Sequence, residues 1–388
     1  METDHHIPKE ESEKIEENSS RLKIKTSSEQ IIDKFNNHFM TKHKKRRILK
    51  TEILNIEKEN RAFLEEYWEN PEDNNLLKKL PLQPLSYYAF KDGISMIGSF
   101  NIRAFGLKKL KNNDIMRIII PILRRYDIIL CQEVHLNDEE MIEKLVDMVS
   151  NSSVPYSYTL SYPVGKSLNE ERFSKHSYKE RYLYLYKPNK WKLLDNYIAN
   201  NSQFVRMPYV AQFQHLKKPH VKITLIGCHT QPGHAYNEIK ALVTDVYAYV
   251  KKKSVKKSSL SCLLSLLCLN TKEAPIFGEN CEHIILMGDF NASGSYLNKT
   301  KQAELDKILA QNNLIWGISH SSDTTVASKR AAYDRFIFEV KNKNRWIGDI
   351  RVWEFDKFWK DKYDPALITK LAMRVSDHYP IEFELKLT

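Results

Sequence analysis

Cysteine is sparse and unpatterned in this chain: five residues in 388, an odd number, none of them in a CxxC pair. That excludes a disulfide framework and a cysteine zinc site as organising features, and it favours a reducing compartment over a secreted one. No apolar run reaches the roughly 20 residues that cross a bilayer, so a spanning helix is not expected. The opening segment METDHHIPKEESEKIEENSS is polar and charged and has no apolar h-region, so a classical secretory signal peptide is not expected either. No internal repeat of fixed period is present. Acidic residues are in the minority, 49 Asp and Glu against 60 Lys and Arg, for a formal net charge of +11. A polyanionic partner is the natural reading, nucleic acid or an acidic membrane surface. The plainer reading is a Lys-rich solvated surface.

What is present suffices for one large domain with a complete core plus an extension, since 42% of the residues are hydrophobic. Residues 1–30 are charged and Ser-rich and read as a disordered tail. Across 31–90, IIDKFNNHF, ILKTEILNIEKENRAFLEEYW and NLLKKL carry apolar residues at helical spacing, and PLQPL reads as a linker. The remaining segment, 91–388, alternates short apolar strands with helices, the pattern of a layered α/β domain. Its strand candidates are ISMIGSF, IILCQEV, YLYLYKP, KITLIGCH, HIILMGDF, YDRFIFEV and PIEFELKL. Its helix candidates are Asp114 to Arg125, Asp138 to Ser150, Ala235 to Lys252 and Lys301 to Gln311.

One segment interrupts the alternation. Residues 251–281 join the basic run KKKSVKK to the apolar stretch Leu260 to Leu269. The plain reading is a surface insertion that packs its leucines on the domain. The sharper one is a loop for peripheral membrane contact or a partner, with Cys262 and Cys268 as acylation sites.

The chemistry-bearing residues stand at the ends of the strand candidates. They are Asn101 in SFNIRAFG, Glu133 in IILCQEVH, Glu180 in SYKERYLYLY and His229 in TLIGCHTQP. Asp289 and Asn291 follow in ILMGDFNASGSY, Asp334 in AAYDRFIF, and Asp377 with His378 in VSDHYPIEFEL. A polar group just past an apolar run points out of a core into a cleft. A lone Glu or His there is usually a solvated or satisfied residue, but this many together suit metal-assisted phosphodiester hydrolysis. Carboxylates hold a hard cation that keeps some of its waters. Histidines move the two protons, one from the attacking water and one to the leaving oxygen. A carboxylate beside each imidazole would set its tautomer and raise its pKa, and Glu180 and Asp334 are the natural partners.

These motifs resemble the endonuclease/exonuclease/phosphatase superfamily and, within it, the deoxyribonuclease I family. The resemblance covers about residues 95 to 387, through SFNIRAFG, RRYDIILCQEV, SYKERYLYLYKP, PGHAYNEI, ILMGDFNASGSY, SDTTV, AAYDR and VSDHYPIE. MGDFN with SDHYP reaches only the superfamily; SYKERYLYLYKP and AAYDR narrow it. The resemblance implies a four-layer α/β sandwich of two packed mixed β-sheets flanked by helices. It pairs Glu180 with His229 and Asp334 with His378, and places Glu133, Asp289, Asn101 and Asp377 on the metal side. Asn291, Arg206, Tyr178 and Arg103 fall on phosphate or DNA. Asp323 and Thr325 match one calcium-site motif. The implied cofactor is Mg²⁺ or Mn²⁺, with Ca²⁺ as a further cation.

Departures from the family accompany these matches. His135 stands where many members have a second minor-groove arginine. The family's disulfide partners would fall at Gly294 and Ala331, so that bridge is absent. The expected activity is a divalent-metal-dependent DNA endonuclease of little sequence specificity that leaves 5′-phosphate ends. Two alternatives are a phosphodiesterase or phosphatase acting on a phospholipid or inositol phosphate, and a noncatalytic binding protein on the same scaffold. Besides DNA, an inhibitory or actin-like protein is an expected partner class. TKHKKRR and KKKSVKK are basic clusters of the nuclear-import kind, and an intracellular location, nucleus or cytoplasm, is expected.

Overall fold

The computed structural model describes residues 79–81, 92–151, 154–165, 179–255, 283–327, 330–343 and 345–387, all within a compact unit, Pro71–Thr388. The expected tail, nearly all of the 31–90 extension, Tyr178 and positions 256–281 of the insertion lie outside the described residues.

Alternation with period two builds the first sheet. It contains β1 (Ile94–Phe105), β2 (Ile128–Val134), β3 (Ser157–Leu160), β4 (Arg181–Tyr186), β11 (Ile347–Val352) and β12 (Ile381–Lys386). The second contains β5 (Trp191–Ile198), β6 (Tyr209–His215), β7 (Lys222–Gly227), β8 (His283–Asp289), β9 (Leu314–Trp316) and β10 (Asp334–Glu339). Their orders are β11-β12-β1-β2-β4-β3 and β5-β6-β7-β8-β10-β9. Ile128 and Leu130, Tyr182 and Tyr184, Ile223 and Leu225, Ile285 and Met287, Phe336 and Phe338, and Ile381 and Phe383 share one buried core. Successive side chains of a strand point to opposite faces, so these every-second residues are the two inner faces packed together. The intervening residues of the second sheet, such as Val210, Ile226, Leu286 and Ile337, join a separate core with the helices.

The helices follow from their caps and apolar stripes. Asn112 accepts from the Asp114 and Ile115 amides and starts α1 (Asn113–Arg124), whose Ile115, Ile119, Ile122 and Leu123 are buried. Asp138 caps α2 (Glu139–Val149). Both caps satisfy amides that the first helical turn leaves unpaired. α3 (Ala235–Ala241) continues through a π-helical stretch, Leu242–Tyr247, into α4 (Ala248–Val255), and Asn298 caps α5 (Lys299–Gln311). α6 (Pro365–Val375) has Asp364 as its cap and proline at its start, where the missing N–H costs nothing. The architecture is the expected four-layer sandwich. Among the described residues, no helix is long and apolar enough to cross a membrane.

The sheets are built alike where function would reside. In each, two central parallel strands, β1 with β2 and β7 with β8, are flanked by antiparallel neighbours. The C-terminal ends of the parallel strands therefore lie beside the N-terminal ends of β4, β10 and β12. The two histidine–carboxylate pairs, with Asn101, Glu133, Asp289 and Asp377, sit on that one edge of the sandwich. The strands without a separate sequence expectation include all four sheet edges, β3, β5, β9 and β11. Edge strands bury little of themselves, and β5 reads almost wholly half-buried or exposed, so no clean alternation marks them.

Candidate active site

Asp289 ends β8, and its backbone lies in register with Asp334, the first residue of β10. Its carboxylate is the hub. Oδ2 accepts from Asn101 Nδ2 at 3.1 Å and lies 3.5 Å from His229 Nε2 and 3.7 Å from His378 Nε2. The far nitrogen of each imidazole meets its own carboxylate. His229 Nδ1 is 2.9 and 3.1 Å from the Glu180 oxygens, and His378 Nδ1 is 2.7 Å from Asp334 Oδ2. His229 follows β7 of the second sheet while Glu180 precedes β4 of the first. His378 precedes β12 of the first sheet while Asp334 opens β10 of the second. Each pair therefore spans the gap between the sheets.

Charge follows from that geometry. Burial and the Arg206 guanidinium push the His229 imidazole towards neutrality, but Glu180 and Asp289 outweigh them, and its pKa is raised above the ordinary histidine value. Burial opposes the imidazolium at His378 too, yet Asp334, Asp289 and Asp377 hold its pKa well above that value. Burial would raise the Glu133 carboxyl. The His229 charge, the Ala104 amide, the Asn101 amide and the His378 charge instead bring it down to about 2.

Glu133 reaches the cluster through a strained stretch. The β2 register slips between Cys131 and Val134, and Glu133 takes φ +57°. Its Oε2 accepts from the amide of Ala104, itself at φ +48°, and its Oε1 accepts from Asn101 Nδ2 at 3.0 Å. Asn291 is at φ +46°. Three of the four non-glycine residues with positive φ among the described residues thus lie at this site, where strain is held by surrounding bonds.

Several residues outside the expected set hold it in place. Gln132 joins the two sheets: its Nε2 donates to the Cys228 carbonyl at 3.1 Å, and its Oε1 accepts from the Asp289 amide at 3.2 Å. The Tyr182 hydroxyl accepts from the His229 amide. Thr324 Oγ1 accepts from the Tyr333 and Asp334 amides. Ser376 Oγ donates to the Asn101 carbonyl at 2.6 Å and accepts from the Arg103 and His378 amides. Lys109 is buried, with its ammonium on the carbonyls of Arg103 and Val375. Burial lowers its pKa to about 7 against the opposing pull of Asp377 and Glu133. The available signal for Gln132 and Tyr182 was a polar atom inside an otherwise apolar strand.

The remaining expected residues are placed as follows. Arg103 NH1 lies 3.5 Å from Asp377 Oδ2. Arg206 adjoins the His229 pair, but its guanidinium donates to the His229 and Thr230 carbonyls and to Gln231 Oε1, and lies 3.7 Å from Glu180. Asn291 Nδ2 also donates to the Thr230 carbonyl. Both side chains hold the loop after β7. Asp323 Oδ1 accepts from the amide and hydroxyl of Thr325 and from the Ala331 amide, while Arg330 lies 3.8 Å from Oδ2. These bonds close the loop between Asp323 and Ala331 on itself. Tyr178 lies outside the described residues.

A cation fits the hub. Asn101 Oδ1, Asp334 Oδ1 and Asp377 Oδ1 are buried with no hydrogen-bond partner. Buried acceptors left so are costly unless something occupies them. Asp289, Asp334 and His378 each offer a donor atom within 4.8 Å of the others. An oxygen-rich set of this kind suits a hard divalent ion.

No protein-family model matches the chain. It is 30% identical to deoxyribonuclease-1 of Bos taurus over 304 residues, 76% of this chain and 93% of that protein. It is also 30% identical to deoxyribonuclease-1 of Homo sapiens over 299 residues, 75% of this chain and 92% of that protein. Among solved structures, the human Nocturnin catalytic domain with bound sulfate aligns with a TM-score of 0.45 and 14% identity, covering 76% of this chain and 94% of that one.

Proposed function

The chain belongs to the deoxyribonuclease I family, and on that premise we propose that it is a divalent-metal-dependent endonuclease acting on DNA with little sequence specificity. The observation that carries the proposal is the convergence of two histidine–carboxylate pairs on one carboxylate oxygen, Asp289 Oδ2, at 3.5 and 3.7 Å. Phosphodiester hydrolysis needs one proton removed from water and one delivered to the leaving oxygen, and two oriented imidazoles meet that need. Glu180 and Asp334 hold the Nδ1 sides and leave each Nε2 facing the hub. One imidazole acts as base and the other as acid, and the products carry 5′-phosphate and 3′-hydroxyl ends.

Mg²⁺ or Mn²⁺ held by Asp289, Asn101, Glu133 and Asp377 would supply Lewis-acid stabilisation of phosphate charge. Arg206, Asn291 and Arg103 form the phosphate-side rim in this reading, and the +11 formal charge favours a polyanionic substrate. Ca²⁺ is a further cation in this reading, with Asp323 and Thr325 as its candidate ligands. The unpaired, buried thiols of Cys131 and Cys228 support a reducing, intracellular setting. Recovery of the native protein mainly from secreted material would overturn that location.

The test is plasmid nicking by the purified chain with Mg²⁺, with EDTA, and with His229→Ala and His378→Ala. Each substitution should cost about 10²- to 10⁴-fold in rate without loss of fold, the usual worth of a placed proton carrier. Metal-dependent nicking that survives both substitutions would remove the proton-transfer assignment. No nicking with any divalent metal would remove the DNA substrate, and hydrolysis of phospholipid or inositol phosphate would then be measured.

A further inference from the structure

We infer that Lys109 is a positioning residue for the metal side of this site, tying the strand that carries Asn101 to the segment that carries Asp377 and His378. The inference rests on the endonuclease reading for the reaction it serves.

The contacts are specific. The Lys109 ammonium donates to the Arg103 carbonyl, two residues beyond Asn101, and to the Val375 carbonyl at 2.7 Å, two residues before Asp377. The residue is only 2% exposed, though lysine is among the residues least often buried. Ser376 forms a second tie between the same segments, through the Asn101 carbonyl and the Arg103 amide. Lys109 and Ser376 thus bridge the end of β1 and the end of α6. The bridge sets the spacing between Asn101 Oδ1 and Asp377 Oδ1, two of the buried oxygens that lack a hydrogen-bond partner.

A cation suits this place for a second reason. Asp377 and Glu133 both lie within electrostatic reach of the ammonium. An apolar side chain would leave two buried carbonyls short of a donor, and loss of the charge would add to the repulsion among the carboxylates. An ammonium offers three donors and satisfies both demands from one atom. Lys109 itself touches neither substrate nor metal in this scheme; it acts through Asn101, Asp377 and His378.

The experiment uses the full chain with Lys109→Met, Lys109→Arg, Ser376→Ala and the Lys109→Met/Ser376→Ala double variant. Plasmid nicking with Mg²⁺ is measured well below each melting point. Lys109→Met should lower kcat about a hundred-fold, the scale of a small misplacement of reacting groups, with KM for DNA nearly unchanged. Lys109→Arg, which keeps the cation, should recover most of the loss. Ser376→Ala should show the same kcat-only loss, and the double variant should be less than additive, because both ties act on one spacing.

Hydrogen exchange without DNA or metal gives a readout independent of activity. Exchange should rise together in peptides spanning 101–105 and 375–379 and stay unchanged at Glu180 and His229. Unchanged kcat in a folded Lys109→Met protein, or a loss confined to KM, overturns the inference. If Lys109→Met does not fold, Ser376→Ala and Lys109→Arg decide: a loss in KM with Ser376→Ala, or no activity in a folded Lys109→Arg protein, overturns it equally. Absence of nicking by the wild-type chain overturns the endonuclease reading instead, and coupled exchange would then still establish the tie.

Discussion

At the scale of single residues, the site depends on places where a side chain would not fit as much as on the side chains that act. Gly288 precedes Asp289 at φ +140°, and a Cβ built there would meet the Cys228 carbonyl oxygen at 2.1 Å. That close approach lets Gln132 bond Cys228 and Asp289 together across the sheets. Gly288→Ala should therefore cost about 3 kcal/mol or more, combining backbone strain with displacement of a buried hydrogen-bonded carbonyl. Urea melts read the stability change. A nicking loss larger than the unfolded fraction explains would show that Asp289 has also moved. A stability equal to wild type would refute the packing account. The residue types of the site were legible in the sequence: Asn101, Glu133, Asp289 and His378 each follow or precede an apolar run. The roles of Gln132 and Ser376 were not: a glutamine inside an apolar strand marks a buried polar atom without naming its partners, and a serine before a strand has no distinctive pattern.

At the scale of elements, β1, β2 and β4 are joined below the site by a buried ionic knot. Asp127 is fully buried and accepts from Ser95 Oγ and the Met96 amide through one oxygen, and from the Lys187 and Lys190 ammonium groups through the other. Trp191 of β5 donates to the same Ser95 hydroxyl, so the knot reaches the second sheet. Burial would raise the Asp127 carboxyl, but Lys187 and Lys190 outweigh it and hold the pKa below the ordinary value. Asp127→Asn should destabilise the protein by about 3–5 kcal/mol, the usual result of leaving buried charge without its partner. The sign of the pH effect follows from the lowered pKa. The carboxylate's contribution is full above about pH 3.9, the unfolded value, and is lost as pH falls through the lower folded value. Wild type and Asp127→Asn should thus converge in stability at strongly acid pH and differ by a constant amount above it. Denaturant melts across that range test this, and a gap that persists unchanged into strong acid would contradict it. Seven of the eight central strands and four helices were readable from alternation and capping, β6 being the exception. The four edge strands were not, since one face meets solvent and the other is only partly covered.

At the scale of the whole molecule, the active edge concentrates acidic groups from both sheets, and a divalent ion should bind the folded state alone. Mass action then predicts a rise of about 2.7 kcal/mol at a hundred times the dissociation constant. Mg²⁺ or Mn²⁺ should raise the thermal midpoint, EDTA should reverse the rise, and Asp289→Asn should abolish most of it. A midpoint indifferent to both metals would argue against the hub as a cation site.

By itself, the sequence determined the alternating strands, the two-sheet fold that the family motifs imply, and the kinds of groups available for chemistry. Those are local properties, carried by period, by caps and by short motifs. The family resemblance named the two histidine–carboxylate pairs, but only the tertiary structure gives the physical reason they meet. Glu180 lies 49 residues before His229, and Asp334 lies 44 before His378, and each partner comes from the opposite sheet. Their meeting depends on two sheets of matching topology packing face to face with their active ends aligned, which no local pattern encodes. The same packing brought Lys109 and Ser376 behind the hub. A lysine three residues past FG and a serine before DH became buried ties because β1 and the end of α6 converge there.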